Sequence, residues 1–448
     1  MKRALAIKKI FTQKNGKHSL SASLPSIMFA ILFVFTFFSC KSPTAPGSKS
    51  ISLFVKDVSC TEAWLNLTAS NITLPANILI KKNGNSFLNL TLTQKNSAIY
   101  DSTLSPSQTY TYQAEYSKGF AFERSETVTT RTLDTTSSNF SWQTFTFGAA
   151  LTSHLSDICI VNDTLIYATG EIYLYDSTGK IEPTSYNLAK WNGHSWQFLR
   201  MQFYLNCGQQ LVDGTPTTAV FALNDKEIWI ASETSRMTIW DGTYQINNMC
   251  LPVSVSKIWA ANANEIYTVG VGGQMGYYTN GDWQKLNSGT NIQIFDIWGI
   301  TNSITNLTEI FTVSSDIFYK DQRRIFLMNS TSVDSLPTPA GPDLYTVWAA
   351  SNRLIYVGGS GLWRYASGNW NKVSLVPGAV VISVRGNAAN DVFAVGTFGL
   401  LAHFNGVSWK LYDGVSDATF GSVCIKGNML AAVGEKYGTA VVIIGKRN

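Results

Sequence analysis

The chain has 448 residues, of which 45% are hydrophobic and 12% aromatic, while only 14% are charged against the usual quarter or so. That supplies ample core and excludes coiled coils, long charged helices and disorder. The formal net charge of +5 belongs to the leader: six of the 34 basic residues and none of the 29 acidic ones lie in residues 1–39, so the remainder carries −1. No nucleic-acid partner is expected, since that would call for a basic face.

Residues 1–39 have the parts of a secretory signal. A long basic region precedes an uncharged apolar run from Ile27 to Phe38, which is too short to span a bilayer. Phe37-Phe38-Ser39-Cys40 follows. It resembles the lipobox of bacterial lipoproteins, with Phe37 where that family most often has Leu. The resemblance implies acylation of Cys40, and hence a membrane partner and a place in the bacterial cell envelope, at the outer membrane or cell surface. Two or three acyl chains hold a bilayer stably where one does not, at ~0.8 kcal/mol per buried methylene. An ordinary signal peptide with a cysteine beside its cleavage site is the alternative. Residues 40–50 have no apolar periodicity and read as the acylated cysteine and a flexible tether.

Residues 51–133 carry seven short segments rich in Val, Ile, Thr, Tyr and Leu, from ISLFVKDV to ETVTTRTL, punctuated by Gly, Asn, Pro and Ser. This pattern predicts a β-sandwich. Trp64 in the second segment is expected to fill its core. Leu104-x-Pro106-x-x-x-Tyr110 precedes the sixth strand and resembles the tyrosine corner of fibronectin type III domains. That resemblance implies a Tyr110 hydroxyl bonded to upstream backbone, and a spacer role.

Residues 139–448 repeat. Copies begin at Val220 (VFALNDKEIWIA), Ile258, Val347 and Val384, with weaker ones at Ile158, Ile297 and Val423. Each reads strand, polar turn, strand. A second turn then precedes an aromatic, as in Asn192-Gly193-x-x-Trp196 and Asn280-Gly281-x-Trp283. Asn-Gly favours two-residue hairpins. Four-stranded units that cannot bury both faces alone stack radially into a β-propeller. Seven units predict seven blades. The last one lacks its Trp strand, and the segment around Trp142 is expected to complete it and close the ring. The fold class is therefore all-β, a sandwich followed by a propeller. The cadence resembles bacterial propellers of the two-component and photosystem-assembly types, a likeness that specifies fold and not function.

The chemistry is sparse. Asn or Asp abuts Gly directly, so the sialidase Asp box does not match, and Arg236, Arg364 and Arg385 form no evident triad. Most acids (Asp163, Asp225, Glu265, Asp391) fall in turns, where Asx geometry accounts for them. His154, His194 and His403 lack metal-ligand spacing; the last two are expected at the surface. No phosphate loop occurs, and no metal or cofactor is expected. After Cys40 five cysteines remain, an odd number. Cys159 and Cys424 share a repeat position and read as small buried residues; a Cys207–Cys250 bond is left open.

Ligands of propellers usually meet the rim built from the loops joining strands 2–3 and those joining blades. Units 6, 7 and 1 are neighbours in a closed ring. Their loops bring Phe398, Tyr437, Tyr173, Tyr175 and Tyr186 to one side of that rim, with Tyr204 in the long connection to unit 2. These six are candidate ligand contacts, as a platform for sugar rings or a protein partner. Packing of the rings against their own loops is the equal alternative. The expectation is a non-catalytic binder of a glycan or an envelope protein. Alternatives are a carbohydrate-active enzyme, marked by rim acids with raised pKa, and an assembly scaffold, marked by an extended apolar face.

Overall fold

The computed structural model describes residues 50–448, apart from 120, 150, 151, 233, 302–306, 317–322, 329–332, 340 and 342. Cys40, its leader and residues 41–49 lie outside the described residues.

Two antiparallel sheets pack face to face between residues 51 and 131. One orders Ile51–Val58, Ala63–Ala69 and Asn96–Asp101. The other orders Asn85–Leu92, Ala76–Lys82 and Thr109–Lys118, and the last of these is flanked by Ala121–Arg124 and Val128–Arg131. Strand alternation sends Leu53, Leu65, Leu67, Ile78, Ile80 and Tyr112 into the shared core. The final strand is in two pieces because Ser125 interrupts it: its hydroxyl accepts the Ala114 N–H at 2.9 Å.

Trp64 does not fill this core. It lies one residue from Leu65, opposite Tyr100 in the ladder, and so points to the outer face. It is nonetheless only 5% exposed. The same face carries Glu62, which accepts the Tyr100 hydroxyl and is ion-paired with Arg364 of the propeller. Parity was legible in the sequence; the pairing of Glu62 with Arg364, 302 residues apart, was not.

Seven four-stranded antiparallel sheets follow, as the repeats predict. Blades 1 to 6 occupy residues 154–199, 217–250, 257–286, 294–336, 344–373 and 381–411. Blade 7 takes three strands from residues 419–447 and its outer strand from Phe140–Phe147, with Gly445 paired to Trp142. The chain's last strand is thus closed by the propeller's first, which leaves no open edge there.

The hub is held by one repeated contact. The residue before the leading apolar position of a repeat accepts a backbone N–H from the next blade. Asp157 takes Val220 N–H at 3.1 Å, Asp296 takes Val347 N–H at 3.0 Å, Thr346 takes Val384 N–H at 3.1 Å, and Ser383 takes Val423 N–H at 3.3 Å. At the closing seam the Ser422 hydroxyl donates to Asp157 at 2.7 Å. One residue after the leading apolar position, the ring of Trp259 lies over Gly299 and that of Trp348 over Gly386. A Cβ on these glycines would come within 2.4 and 2.8 Å of the indoles, so only glycine fits.

Two ion pairs span the hub: Lys257–Asp157 and Arg385–Asp296, both at 2.7 Å. Asp157 is therefore engaged by both Lys257 and Ser422. Burial pushes the Asp296 carboxyl up, but the charge and hydrogen bonds of Arg385 outweigh it and hold the group below the ordinary range.

His403 and Asp391 are not surface and turn residues. His403 is fully buried, bonded to Asp391 at 2.9 Å and to Ser138 at 2.8 Å, and its ring stacks on Phe393. Asp391 also pairs with Arg447. The segment entering the propeller and the strand ending it are thus tied to blade 6. Neither tie is visible within one repeat.

The Arg385–Asp296 pair sets an acid dependence. A carboxyl whose folded pKa is lowered stabilises the fold above its unfolded value, about 4, and that contribution is lost as pH falls through the folded value. Asp296→Asn is expected to cost about 3 kcal/mol at pH 7, because Arg385 stays buried without its counter-charge. The gap to wild type should narrow as the pH falls below about 4. Urea unfolding at both ends of the range checks this; a gap that stays constant with pH would show that the pair contributes no charge-dependent stability.

Candidate functional site

Antiparallel blades have two rims of different chemistry. The 1–2 and 3–4 turns lie on one. They are mostly polar, with Tyr244, Leu307 and Val407 as exposed apolar exceptions, and six of them are capped by the residue that opens the turn: Asn162, Asn224 and Asn262 accept the N–H two residues on, as do Asn192, Asp241 and Asn405. The sandwich meets this rim at blade 6. Asn390 donates to the Asp134 carbonyl at 2.7 Å, and Thr136 N–H donates to the Asn405 carbonyl at 3.1 Å. Cys60 packs against Gly406.

The opposite rim holds the 2–3 turns and the inter-blade connections. Here exposed apolar side chains collect: Tyr175 and Ile181 on blade 1, Leu205 and Leu211 on the connection to blade 2, Val271 on blade 3, Phe398 on blade 6 and Tyr437 on blade 7.

The six candidate aromatics divide by environment. Tyr186 lies under the Arg200 guanidinium, 3.9 Å from its ring centroid, and its hydroxyl donates to Glu182, which also pairs with Arg200. Tyr173 is half-buried and donates to Glu171 at 2.9 Å. Tyr204 is half-buried in a short hairpin, opposite Leu211. Tyr175 is 58% exposed, Phe398 78% and Tyr437 82%. The structure therefore brings Phe398 and Tyr437 forward on adjacent blades, with Tyr175 on the next, and engages the other three within their own loops.

Phe398 and Tyr437 share a backbone peculiarity. Each is the first residue of an aromatic-Gly turn in which both residues have positive φ: 58° and 70° for Phe398-Gly399, 50° and 73° for Tyr437-Gly438. The same geometry on the opposite rim uses Asn280-Gly281 and Ser367-Gly368. A bulky L-residue in this region is strained by roughly 1–2 kcal/mol, which asparagine tolerates best. Strain retained at an exposed side chain is characteristic of functional positions. The dipeptides Phe-Gly and Tyr-Gly at a turn that favours Asn-Gly were a readable signal for this.

Two features of the site were not read from the sequence. A disulfide joins Cys207 to Cys250, with Cα atoms 5.9 Å apart. It staples the hairpin carrying Tyr204 and Leu205 to the outer strand of blade 2. A groove of about 520 Å³ runs between blades 6 and 7, lined by Phe398, Thr144, Thr146, Asp413, Asp417 and Lys436 among others. Lys436 and Asp417 are paired at 2.6 Å, and the Lys436 hydrogen bond holds the Asp417 carboxyl below its ordinary range.

Cys159 and Cys424 are free thiols beside the hub, and the Ile160 N–H donates to the Cys424 sulfur at 3.4 Å. Both line the hub cavity of about 210 Å³, together with Trp259, Trp298, Lys257 and Arg385. Arg236, Arg364 and Arg385 lie at the rim, the sandwich contact and the hub respectively, and form no triad.

No family model and no curated protein sequence matches the chain. Among solved structures it is similar to YCF48 bound to D1 peptide: 14% identity over 68% of this chain and 95% of that one, TM-score 0.49. It is also similar to YCF48 from Cyanidioschyzon merolae, at 13% over 68% and 98%, TM-score 0.47. A third is PorZ, a surface component of the type-IX secretion system of Porphyromonas gingivalis, at 9% over 87% of this chain and 62% of PorZ, TM-score 0.48. At these identities the likeness concerns the fold alone.

Replacing Tyr437 by asparagine removes the left-handed strain and leaves an Asn-Gly turn. It is expected to raise stability by about 0.5–1 kcal/mol, seen as a higher urea midpoint with unchanged slope. A lower midpoint would show that the ring contributes packing that outweighs the strain.

Proposed function

We propose that the chain is a bacterial envelope lipoprotein, acylated at Cys40, whose propeller binds a glycan or protein ligand at the rim of blades 6, 7 and 1 without catalysis. The observation that carries this reading is the pair Phe398 and Tyr437. Each is about four-fifths exposed at the tip of a turn whose backbone favours a smaller residue. A side chain retained against its local conformational preference, and left in water, is accounted for by what it touches when bound.

The sandwich, residues 51–133, is a fibronectin type III-like spacer. What supports this is the hydrogen bond from Ser105 N–H to the Tyr110 hydroxyl at 2.9 Å, together with the three-strand and five-strand sheets. Ile51–Val58 runs toward the propeller, so the tethered end lies ~25 Å from the contact at Cys60. The contact is made on the polar rim.

The enzyme reading is less well supported. Every described carboxylate whose protonation departs from the ordinary range is held below it, Asp417 on the rim included. Such groups are hydrogen-bond acceptors at neutral pH, whereas a general acid requires the opposite shift.

Two measurements test the reading. Cys40→Ala should move the protein from the membrane fraction to the soluble one and abolish acyl labelling; an acylated, membrane-bound variant refutes the anchor. Tyr175→Ala with Tyr437→Ala should abolish retention of envelope components by the immobilised protein while its unfolding midpoint is maintained. Unchanged retention refutes the rim.

A further inference from the structure

We propose that the groove between blades 6 and 7 is a subsite for a neutral pyranose of a glycan chain, with Phe398 as its stacking ring and Asp413 and Asp417 as hydroxyl acceptors. The inference deepens the rim reading and rests on it.

A pyranose presents an apolar C–H face and an equator of hydroxyl donors. A site for it needs one ring held upright beside several acceptors, in a cleft open to solvent so that the chain can continue. The groove has this composition. Phe398 lines it, 78% exposed on its left-handed backbone, with Val415 and Val441 as its other apolar side chains. Blade 7's outer strand contributes Thr144 and Thr146, both exposed. The connection between blades 6 and 7 contributes Asp413, Ser416 and Asp417. Lys436 fixes one oxygen of Asp417 at 2.6 Å. Its second oxygen and the Asp413 carboxylate are left as acceptors.

The same groups choose the class of ligand. Two carboxylates face one ammonium that is already paired, so the groove carries a net negative charge. Uronates, sulfated sugars and phosphosugars are repelled, while neutral sugars are not. A protein hot spot would instead call for a dry apolar pocket at the centre of the patch. Here most of the lining side chains are hydroxyls, carboxylates and an ammonium, beside one exposed ring.

The test uses the detergent-solubilised full chain. It is titrated calorimetrically with hexasaccharides of glucose, mannose, galactose, xylose and N-acetylglucosamine, and with hexagalacturonate. At least one neutral hexasaccharide should bind and hexagalacturonate should not. Phe398→Asn, which keeps the turn, should weaken binding at least about tenfold with no fall in the unfolding midpoint. Asp413→Asn should weaken it several-fold. Absence of binding by every neutral hexasaccharide at millimolar concentration overturns the proposal. So does preference for hexagalacturonate, or affinity indifferent to Phe398→Asn. The same variant in the retention assay separates the two readings. If it loses an envelope protein while no sugar binds, the sugar subsite falls and the rim stands; if it loses nothing, both fall.

Discussion

Each inner strand of a propeller is paired along one edge only, and its other edge faces a crowded hub where water has little room. An unpaired N–H there costs about as much as a lost buried hydrogen bond. Asp157, Asp296, Thr346 and Ser383 meet that requirement by accepting from the next blade. Because the acceptor always precedes the leading apolar residue, each such bond also sets the register between neighbouring blades. The charged acceptors bring a second requirement, met by Lys257 and Arg385 across the hub. What the rims can display follows from this inner arrangement. A one-residue slip would turn every side chain of a blade to its other face.

With the blades fixed, the rims are free to differ. The polar rim is built from self-capped turns and receives the sandwich through backbone-directed bonds at Asp134, Asn390 and Asn405. The other rim departs from local preference at Phe398 and Tyr437 and carries the two long segments around Tyr175 and Tyr204. Their immobilisation is by side chains in one case and by covalent bond in the other: Arg200 with Glu182 and Tyr186, and Cys207 with Cys250. A surface that exposes apolar groups while restricting their motion loses less entropy on association.

The fold was legible because its signals are local and repeated. A leading Val or Ile with Ile or Val eight residues on and an aromatic directly after it recurs, and the unpaired Trp strand at residues 139–146 matches the incomplete unit from Val423. What was not legible depends on partners distant in sequence. Trp64 faces outward because its neighbour Leu65 faces in, and Glu62 nearby meets Arg364 of the propeller. His403 is buried because Ser138 and Asp391 converge on it. Of the candidate site, the exposed Phe398, Tyr437 and Tyr175 follow from loop placement, whereas Tyr186 is taken up by an arginine from the following connection. The groove residues Asp413, Asp417 and Lys436 carry no motif; they meet only because blades 6 and 7 are adjacent.

The closing sheet also orders events in time. Phe140–Phe147 is made first and Thr439–Arg447 last, yet the two are hydrogen-bonded neighbours. Through the synthesis of some three hundred intervening residues, the opening strand has no partner, and an unpaired strand is a template for wrong pairings. Its alternation of Phe and Trp with Ser, Gln and Thr tempers that hazard, since only one side is strongly apolar at any position. Ring closure is therefore the last and most non-local step available to this chain, and the slowest class of contact to form. A chain cut before Thr439 would carry six fully encoded blades and no strand to pair with Phe140–Phe147 and hold the ring shut.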